Sequence, residues 1–535
     1  MATVMATAPS GRASVVDQIA ANEKMEVKRG GSILQENQHF VENRAYRDVI
    51  WALLFGILAL GVVFGSIWTI IMVFSFDNLD AGKEHHVFLK YHEATFINGL
   101  VAMAISGLAA SFFSIAFLQF TKRNTECVVW TSIILGPCLL IFSGAYVMSQ
   151  GWPMPGAFGA VKVCIGVCLL ACVICLYKDF IPLTVLLLRT VIHVVEVHPS
   201  MMVLCVVSGL IAAAWSLACF TCLLGSTIVD EEMVSLIKSK ASASPMKALL
   251  IFLFVLVYIW GQLVSMNTAH TACAGVYGRW YFQKDAGATV LNSLRVAWTT
   301  SFGSICYGSF IVALVRAVQA VVRAMRKEAE DDGNIILCIV LRIIECMIDC
   351  AGDIIEGITE WAYIQCAVRG VGFCDACWAT FAVWVHSSVD AVVAALLIDL
   401  VPALGAILIG ALSAMVGFVV FHARVAMEGW SASVFCFCFF MGFGCSIAAL
   451  MPLKSGSTTI IICYAEEKDF LRRKAPALYE ALCQAQLEYD RDSSVASASS
   501  SRRGSHQNQQ GQQARDVRAA PLMEMQAVQA QSQGR

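Results

Sequence analysis

The chain has 535 residues, of which 58% are hydrophobic and only 14% charged, with a formal net charge of −2. Soluble domains carry about 25% charged residues, so a water-soluble globule is excluded, and a slightly negative chain lacks the basic footprint of a nucleic-acid binder. Long apolar segments separated by short loops point instead to an all-α polytopic membrane protein of about ten transmembrane helices with polar tails at both ends, each helix needing roughly 20 apolar residues to cross a bilayer core.

Residues 1–48 are polar and contain no apolar h-region, so no cleavable signal peptide is expected. Lys24, Lys28, Arg29, Arg44 and Arg47 precede the first apolar segment and place this tail in the cytoplasm by the positive-inside rule. Segments 49–76, 94–118, 127–148 and 157–177 read as the first four spans, with Lys122 and Arg123 returning the chain to the cytoplasmic side. The stretch 181–197 (IPLTVLLLRTVIHVVEV) is short and holds Arg189, His193 and Glu196, so it reads as an interfacial helix. That reading puts Arg316, Arg323, Arg326 and Lys327 outside, against the charge rule. Letting 181–197 span repairs this and inverts the middle of the protein; both topologies stand at this stage.

Segments 201–229, 248–277, 290–322, 389–421 and 432–452 supply the remaining spans, and the transmembrane domain closes at about residue 482. From 483 onward the chain is rich in Ser and Gln and poor in apolar residues, the composition of a disordered cytoplasmic tail. Within it, Arg502-Arg503-Gly504-Ser505 makes Ser505 a candidate for a basophilic kinase. The 22 cysteines lie mostly inside apolar segments. Cys164, Cys168, Cys172 and Cys175 share one helix face without His or carboxylate partners, which reads as packing rather than as a metal site. No metal is expected.

Polar residues inside spans are costly and point to function. Asn267 and His270 stand i,i+3 on the 248–277 segment, with Trp260 two turns before Asn267 on the same stripe. Interhelical hydrogen bonding would use the same residue types, so a solute path and a structural contact are both open. Asp399 lies early in 389–421 with Pro402 just after it, where it could meet a cationic substrate, a proton or a structural Arg. Trp260, Trp298, Tyr307, Trp361 and Tyr363 are the aromatic rings suited to hold a quaternary ammonium by cation–π attraction.

Over 335–360 an acidic line runs through an isoleucine-rich helix. Arg342, Glu345, Asp349, Asp353, Glu356 and Glu360 follow one another at intervals of 3, 4, 4, 3 and 4 residues. Charges cannot face lipid without large cost, so the line is expected to face water. It is either the solvated face of a surface helix or, for Glu345, Asp349, Asp353 and Glu356, the wall of a vestibule that concentrates cations.

Four strings taken in order resemble the choline transporter-like family, especially its fungal and protist branch. They are Trp260…Asn267…His270…Gly275-Val276…Trp280-Tyr281-Phe282; the run from Thr300 to Ser309 (TSFGSICYGS) with Ile311-Val312-Ala313-Leu314; Ala362-Tyr363-Ile364…Ala367…Gly370…Phe373-Cys374; and Thr459…Cys463-Tyr464-Ala465-Glu466-Glu467 followed by Pro476 and Leu478-Tyr479-Glu480. Arg47-Asp48-Val49 is a milder match, and the resemblance extends over roughly residues 47–482. It implies a ten-helix transporter with both termini cytoplasmic, carrying choline or a related small organic cation by facilitated or ion-coupled transport, and it raises Trp260, Tyr307 and Tyr363 as site residues. Two departures stand out: the first outer loop is short and without glycosylation sequons, and the segment before Ala362 is acidic where relatives are basic and cysteine-rich.

No HExxH, nucleophile elbow or P-loop is present, so neither an enzyme nor a cofactor is expected. The substrate-binding candidates are therefore Trp260, Asn267, His270, Tyr307, Tyr363 and Asp399. The partners are a small organic cation such as choline and the lipid bilayer, with the plasma membrane as the expected location. A membrane scaffold or lipid-handling protein without solute transport is the alternative.

Overall fold

The computed structural model describes residues 40–41, 44–76, 83–149, 154–173, 175, 180–229, 245–284, 288–386, 389–424, 431–484 and 487. In chain order the helices are α1 (Val49–Phe76), α2 (Lys83–Arg123), α3 (Thr125–Ser149), α4 (Met154–Cys172), α5 (Ile181–Val197), α6 (Ser200–Val229) and α7 (Pro245–Tyr281). There follow α8 (Thr289–Trp298), α9 (Phe302–Asp331), α10 (Ile335–Arg369), α11 (Phe373–His386), α12 (Val389–Arg424), α13 (Ser431–Glu466) and α14 (Lys468–Lys474), with no strand among the described residues. Eight of these helices are long and apolar enough to cross a membrane: α1, α2, α3, α6, α7, α9, α12 and α13. The described apolar run of α4 is shorter, and α10 carries the acidic line. The protein is thus the all-α multi-pass membrane protein that its hydropathy predicts.

Contacts between neighbouring helices fix their directions. Cys205 of α6 lies against Cys273 of α7, and Trp215 donates to the Tyr258 carbonyl, so these two run in opposite senses. Ser106 of α2 donates to the Cys438 carbonyl of α13, while Phe117, three turns on, fills the space beside Gly405 and Leu450. On α3 and α4, Gly144 and Gly159 meet backbone to backbone. A Cβ on either would lie 2.8 Å or less from the other's carbonyl oxygen, which is why small residues stand there.

One end of the bundle is stitched by the segment leading into α1. Val41 N–H donates to the Val368 carbonyl, and Arg44 donates to the carbonyls of Val41, Cys366 and Val368 while its guanidinium lies over Phe40. Burial pushes the Arg44 guanidinium down to about 10, with Arg279 adding to the effect. Asp48 holds a left-handed backbone (φ 51°), a conformation Asp tolerates better than most residues. Its carboxylate accepts from the Ser304 hydroxyl at 2.6 Å and from Phe373 N–H at 2.9 Å, tying α1 to the starts of α9 and α11. At the same end Arg369 and Glu466 join α10 to α13 with Nη2–Oε2 at 2.6 Å, both side chains almost wholly buried, and Gln365 donates to the same carboxylate.

α5 lies across this end with its apolar face against Tyr277, whose hydroxyl donates to the Val191 carbonyl. Arg189 and His193 point outward, and Glu196 pairs with Lys122 at 2.5 Å. The apolar face of α5 is thus turned inward and its charged residues outward. The segment 290–322 read as one span is two helices. Residues 299–301 form a turn between them, in which the Thr299 and Ser301 N–H groups both donate to the Val296 carbonyl and the Thr300 carbonyl accepts from Arg47 N–H. α11 was not anticipated, being too short and apolar to stand out beside the spans. Cys164 and Cys168 are exposed on the outer face of α4 rather than packed inside.

Most of the acidic line is paired with arginines yet stays partly open to its surroundings, the side chains of Asp349 and Glu356 being 37% and 45% exposed and that of Arg342 69%. α10 begins at Asn334, whose side chain caps Leu337 N–H, and ends at Gly370 in the left-handed conformation. Along its first half it packs against α9, whose Arg316, Arg323 and Arg326 face the acids. Glu345, only 7% exposed, accepts from Arg326 at 2.8 Å and Arg323 at 3.2 Å; Asp349 accepts from Arg323 at 2.9 Å; Glu356 pairs with Arg316. The charges are compensated along the helix–helix seam, and Ile336, Ile339, Ile343 and Met347 are left outward. Asp353 is exposed. Ser505 and the tail beyond residue 487 lie outside the described residues, as do residues 1–39.

Candidate functional site

Four helices each turn one narrow face toward a common cavity of about 260 Å³. α7 contributes Leu263, Asn267 and His270; α10 contributes Glu356, Thr359, Glu360 and Tyr363; α12 contributes Asp399, Pro402 and Ala403; α13 contributes Ile447, Met451 and Lys454. Within each of these four helices the later positions stand three, four or seven residues after the first, the spacing of a single face. Val312 of α9 closes one side.

The polar groups form a connected set. Lys454 Nζ binds Glu360 Oε1 at 2.8 Å. His270 Nδ1 is 2.5 Å from the Ser455 hydroxyl, and Nε2 is 3.3 Å from the Glu360 carbonyl. Because a carbonyl can only accept, Nε2 carries the proton in that contact. Asn267 donates to Ser309 at 3.0 Å and to the Tyr363 hydroxyl at 3.3 Å, and that hydroxyl also reaches the Ile305 carbonyl. Asp399 is different. Its Oδ1 is buried with no hydrogen-bond partner, an arrangement that is costly unless another group completes it.

Of the residues singled out from the sequence, Asn267, His270, Tyr363, Asp399 and Glu356 meet in this cavity. Trp260 does not. Its indole N–H donates to the Cys306 carbonyl at 3.0 Å, and its ring is held edge-on between Phe55 and Phe310, binding α1, α7 and α9 together. Tyr307 stacks on Trp51 with centroids 4.6 Å apart and meets Phe373 edge-on, nearer the Asp48 end. Trp298 stacks on Phe302, and Trp361 is buried in the core. Glu345 and Asp349 belong to the α9–α10 seam, away from the cavity lining.

Lys454 and Thr359 were missed, and Glu360 was noticed only as part of the acidic line. The signal for Lys454 was available: apolar residues resume after it, from Ile460 to Tyr464, so a span ended at Pro452 is drawn too short.

Apolar helices of membrane length arranged around a polar, acid-lined cavity define the class: a multi-pass helical membrane protein with an internal site of small-solute size. A family model described as plasma-membrane choline transporter matches residues 161–469, and the chain belongs to this choline transporter-like family. It is 28% identical over 416 residues to Protein PNS1 of Cryptococcus neoformans var. neoformans serotype D, covering 74% of this chain and 72% of the relative. Protein PNS1 of Mycosarcoma maydis is 25% identical over 460 residues, covering 84% of this chain and 85% of that protein. The matched region contains every residue lining the cavity.

Proposed function

We propose that the cavity is the solute site of a transporter for a small organic cation, choline or a choline-like amine, moving it by facilitated or ion-coupled transport across the plasma membrane with both termini in the cytoplasm. The observation that carries this reading is Asp399: a carboxylate oxygen buried without a hydrogen bond in a cavity shared by Glu356, Glu360 and Lys454. A membrane scaffold would gain nothing from keeping such an oxygen, since an uncompensated buried polar group only destabilises the fold. A cationic solute supplies a counter-charge to this oxygen, and a hydrogen bond to it comes from the hydroxyl of choline or the N–H of a protonated amine, not from a quaternary nitrogen. The cavity is smaller than the roughly 300–1,000 Å³ of sites for drug-sized ligands, which suits a solute of a few heavy atoms. Its single aromatic ring, Tyr363, means that carboxylate charge, rather than a cage of rings, supplies most of the attraction.

The test is binding and uptake with purified protein. Choline at about 100 times its dissociation constant should stabilise the folded protein by roughly 2.7 kcal/mol, and Asp399→Asn should abolish both that stabilisation and uptake into proteoliposomes. Equal uptake by wild type and Asp399→Asn at matched reconstitution would remove Asp399 from the site.

A further inference from the structure

We propose that Lys454 fixes the charge of the solute this cavity accepts, restricting it to a single positive charge; the proposal rests on the cavity being a cation site. Three carboxylates line the space, and the protein's own cations already answer two of them. Glu356 pairs with Arg316 of α9, and Glu360 holds the Lys454 ammonium at 2.8 Å. Only Asp399 has an oxygen buried without a hydrogen bond. The Lys454 charge also acts on Asp399, but two cations set against three carboxylates leave one net negative charge, which one solute ammonium completes.

Lys454 is suited to this role by chemistry as well as position. Its ammonium is the same group as that of a protonated primary amine, carried on a flexible stem. It is also 39% exposed while lining the cavity. It occupies the second anionic position in place of a second solute ammonium. A diamine whose one end reaches Asp399 would bring its other charge toward Lys454, and like charges a few ångström apart in a partly dehydrated site repel strongly. His270 offers the solute no free lone pair, since its two nitrogens are engaged by Ser455 and the Glu360 carbonyl.

The experiment measures equilibrium binding of choline, ethanolamine and 1,4-diaminobutane to the full-length purified protein and three variants. Wild type should bind the two monocations and discriminate against the diamine. Lys454→Gln frees Glu360 and should improve diamine binding relative to choline by about tenfold or more, the scale of one like charge removed from a partly hydrated site. Glu360→Gln strands the Lys454 ammonium beside the solute and should weaken monocation binding by about tenfold. The double variant Glu360→Gln/Lys454→Gln removes both charges. It should bind monocations better than Glu360→Gln alone, without the diamine gain. An unchanged diamine-to-choline ratio in Lys454→Gln would overturn the proposal. Should that variant not accumulate as folded protein, a double variant no better than Glu360→Gln would overturn it equally. Wild type that binds neither choline nor ethanolamine would overturn the cation-site reading itself, a failure distinct from both.

Discussion

Replacing Glu466 by Ala removes the carboxylate that holds α10 to α13 at the Asp48 end of the bundle. Arg369 Nη2 lies 2.6 Å from Glu466 Oε2 and its Nε 3.3 Å from Oε1, while Gln365 donates to the same Oε1 at 2.9 Å. The two charged side chains are only 4% and 7% exposed, so water cannot take over from the lost carboxylate. Breaking a buried pair by deleting one partner costs about 3–5 kcal/mol, because the remaining charge is left uncompensated. At roughly 2 °C per kcal/mol for a large domain, the apparent melting midpoint should fall by about 6–10 °C. The assay is heating of detergent-solubilised protein followed by size-exclusion detection of the folded fraction. Arg369→Met/Glu466→Met, which removes both charges and restores apolar bulk, should melt above either single variant. A Glu466→Ala midpoint within about 1 °C of wild type would refute the reasoning, since even a weak net contribution of about 1 kcal/mol shifts it further.

Neutralising Glu345 and Asp349 to Gln and Asn should lower thermal stability and leave the KM for cationic solute unchanged at low and high ionic strength, because these acids are matched by arginines away from the cavity; uptake kinetics at two salt concentrations decide it. Trp260→Phe should reduce stability by about 0.5–1.5 kcal/mol through loss of the indole N–H bond to the Cys306 carbonyl, which keeps its helix bond, with solute affinity preserved, and a variant that melts normally but binds weakly would contradict the core placement of this ring. Gly456→Val should yield little folded protein, since even a first side-chain carbon there would lie 2.7 Å from Tyr277 Cε1; accumulation at wild-type levels would show that Tyr277 can move aside.

The spans were legible because hydropathy over 20 residues is a strong signal, and Asn267, His270 and Asp399 were legible because polar groups are rare and expensive in such helices. The acidic line on α10 could be read as a stripe, but its partners could not. Arg316, Arg323 and Arg326 sit on the preceding helix with a periodicity of their own, and only the α9–α10 turn at Gly333 brings the two lines face to face. Trp260 and Tyr307 lie outside the cavity lining, and local sequence could not show this because an aromatic ring inside a span looks the same whether it faces a solute or a neighbouring helix. What separates them is the partner: the Cys306 carbonyl and the Trp51 ring, both supplied by other helices and invisible in local sequence. The break at Thr299–Ser301 carries no Gly or Pro, and one of the bonds at this turn comes from Arg47, more than 250 residues away in sequence.

Asp48 reaches Phe373 across 325 residues of sequence, and Val41 and Arg44 reach carbonyls almost as distant. The Val41 and Arg44 contacts cannot form until the ribosome has made the end of α10, and the Asp48 contact must wait for the start of α11. At about 5–20 residues per second, the segment before α1 waits on the order of 16–65 s after its own synthesis before its partners emerge. Throughout that interval Arg44 and the Asp48 carboxylate are open to solvent, to chaperones and to proteases. Their closure thus marks the moment when the first helix, the middle hairpin and the start of α11 have all reached their places. A chain that stalls or inserts wrongly before Phe373 cannot conceal this segment, so the same residues that seal the finished bundle also distinguish it from an unfinished one.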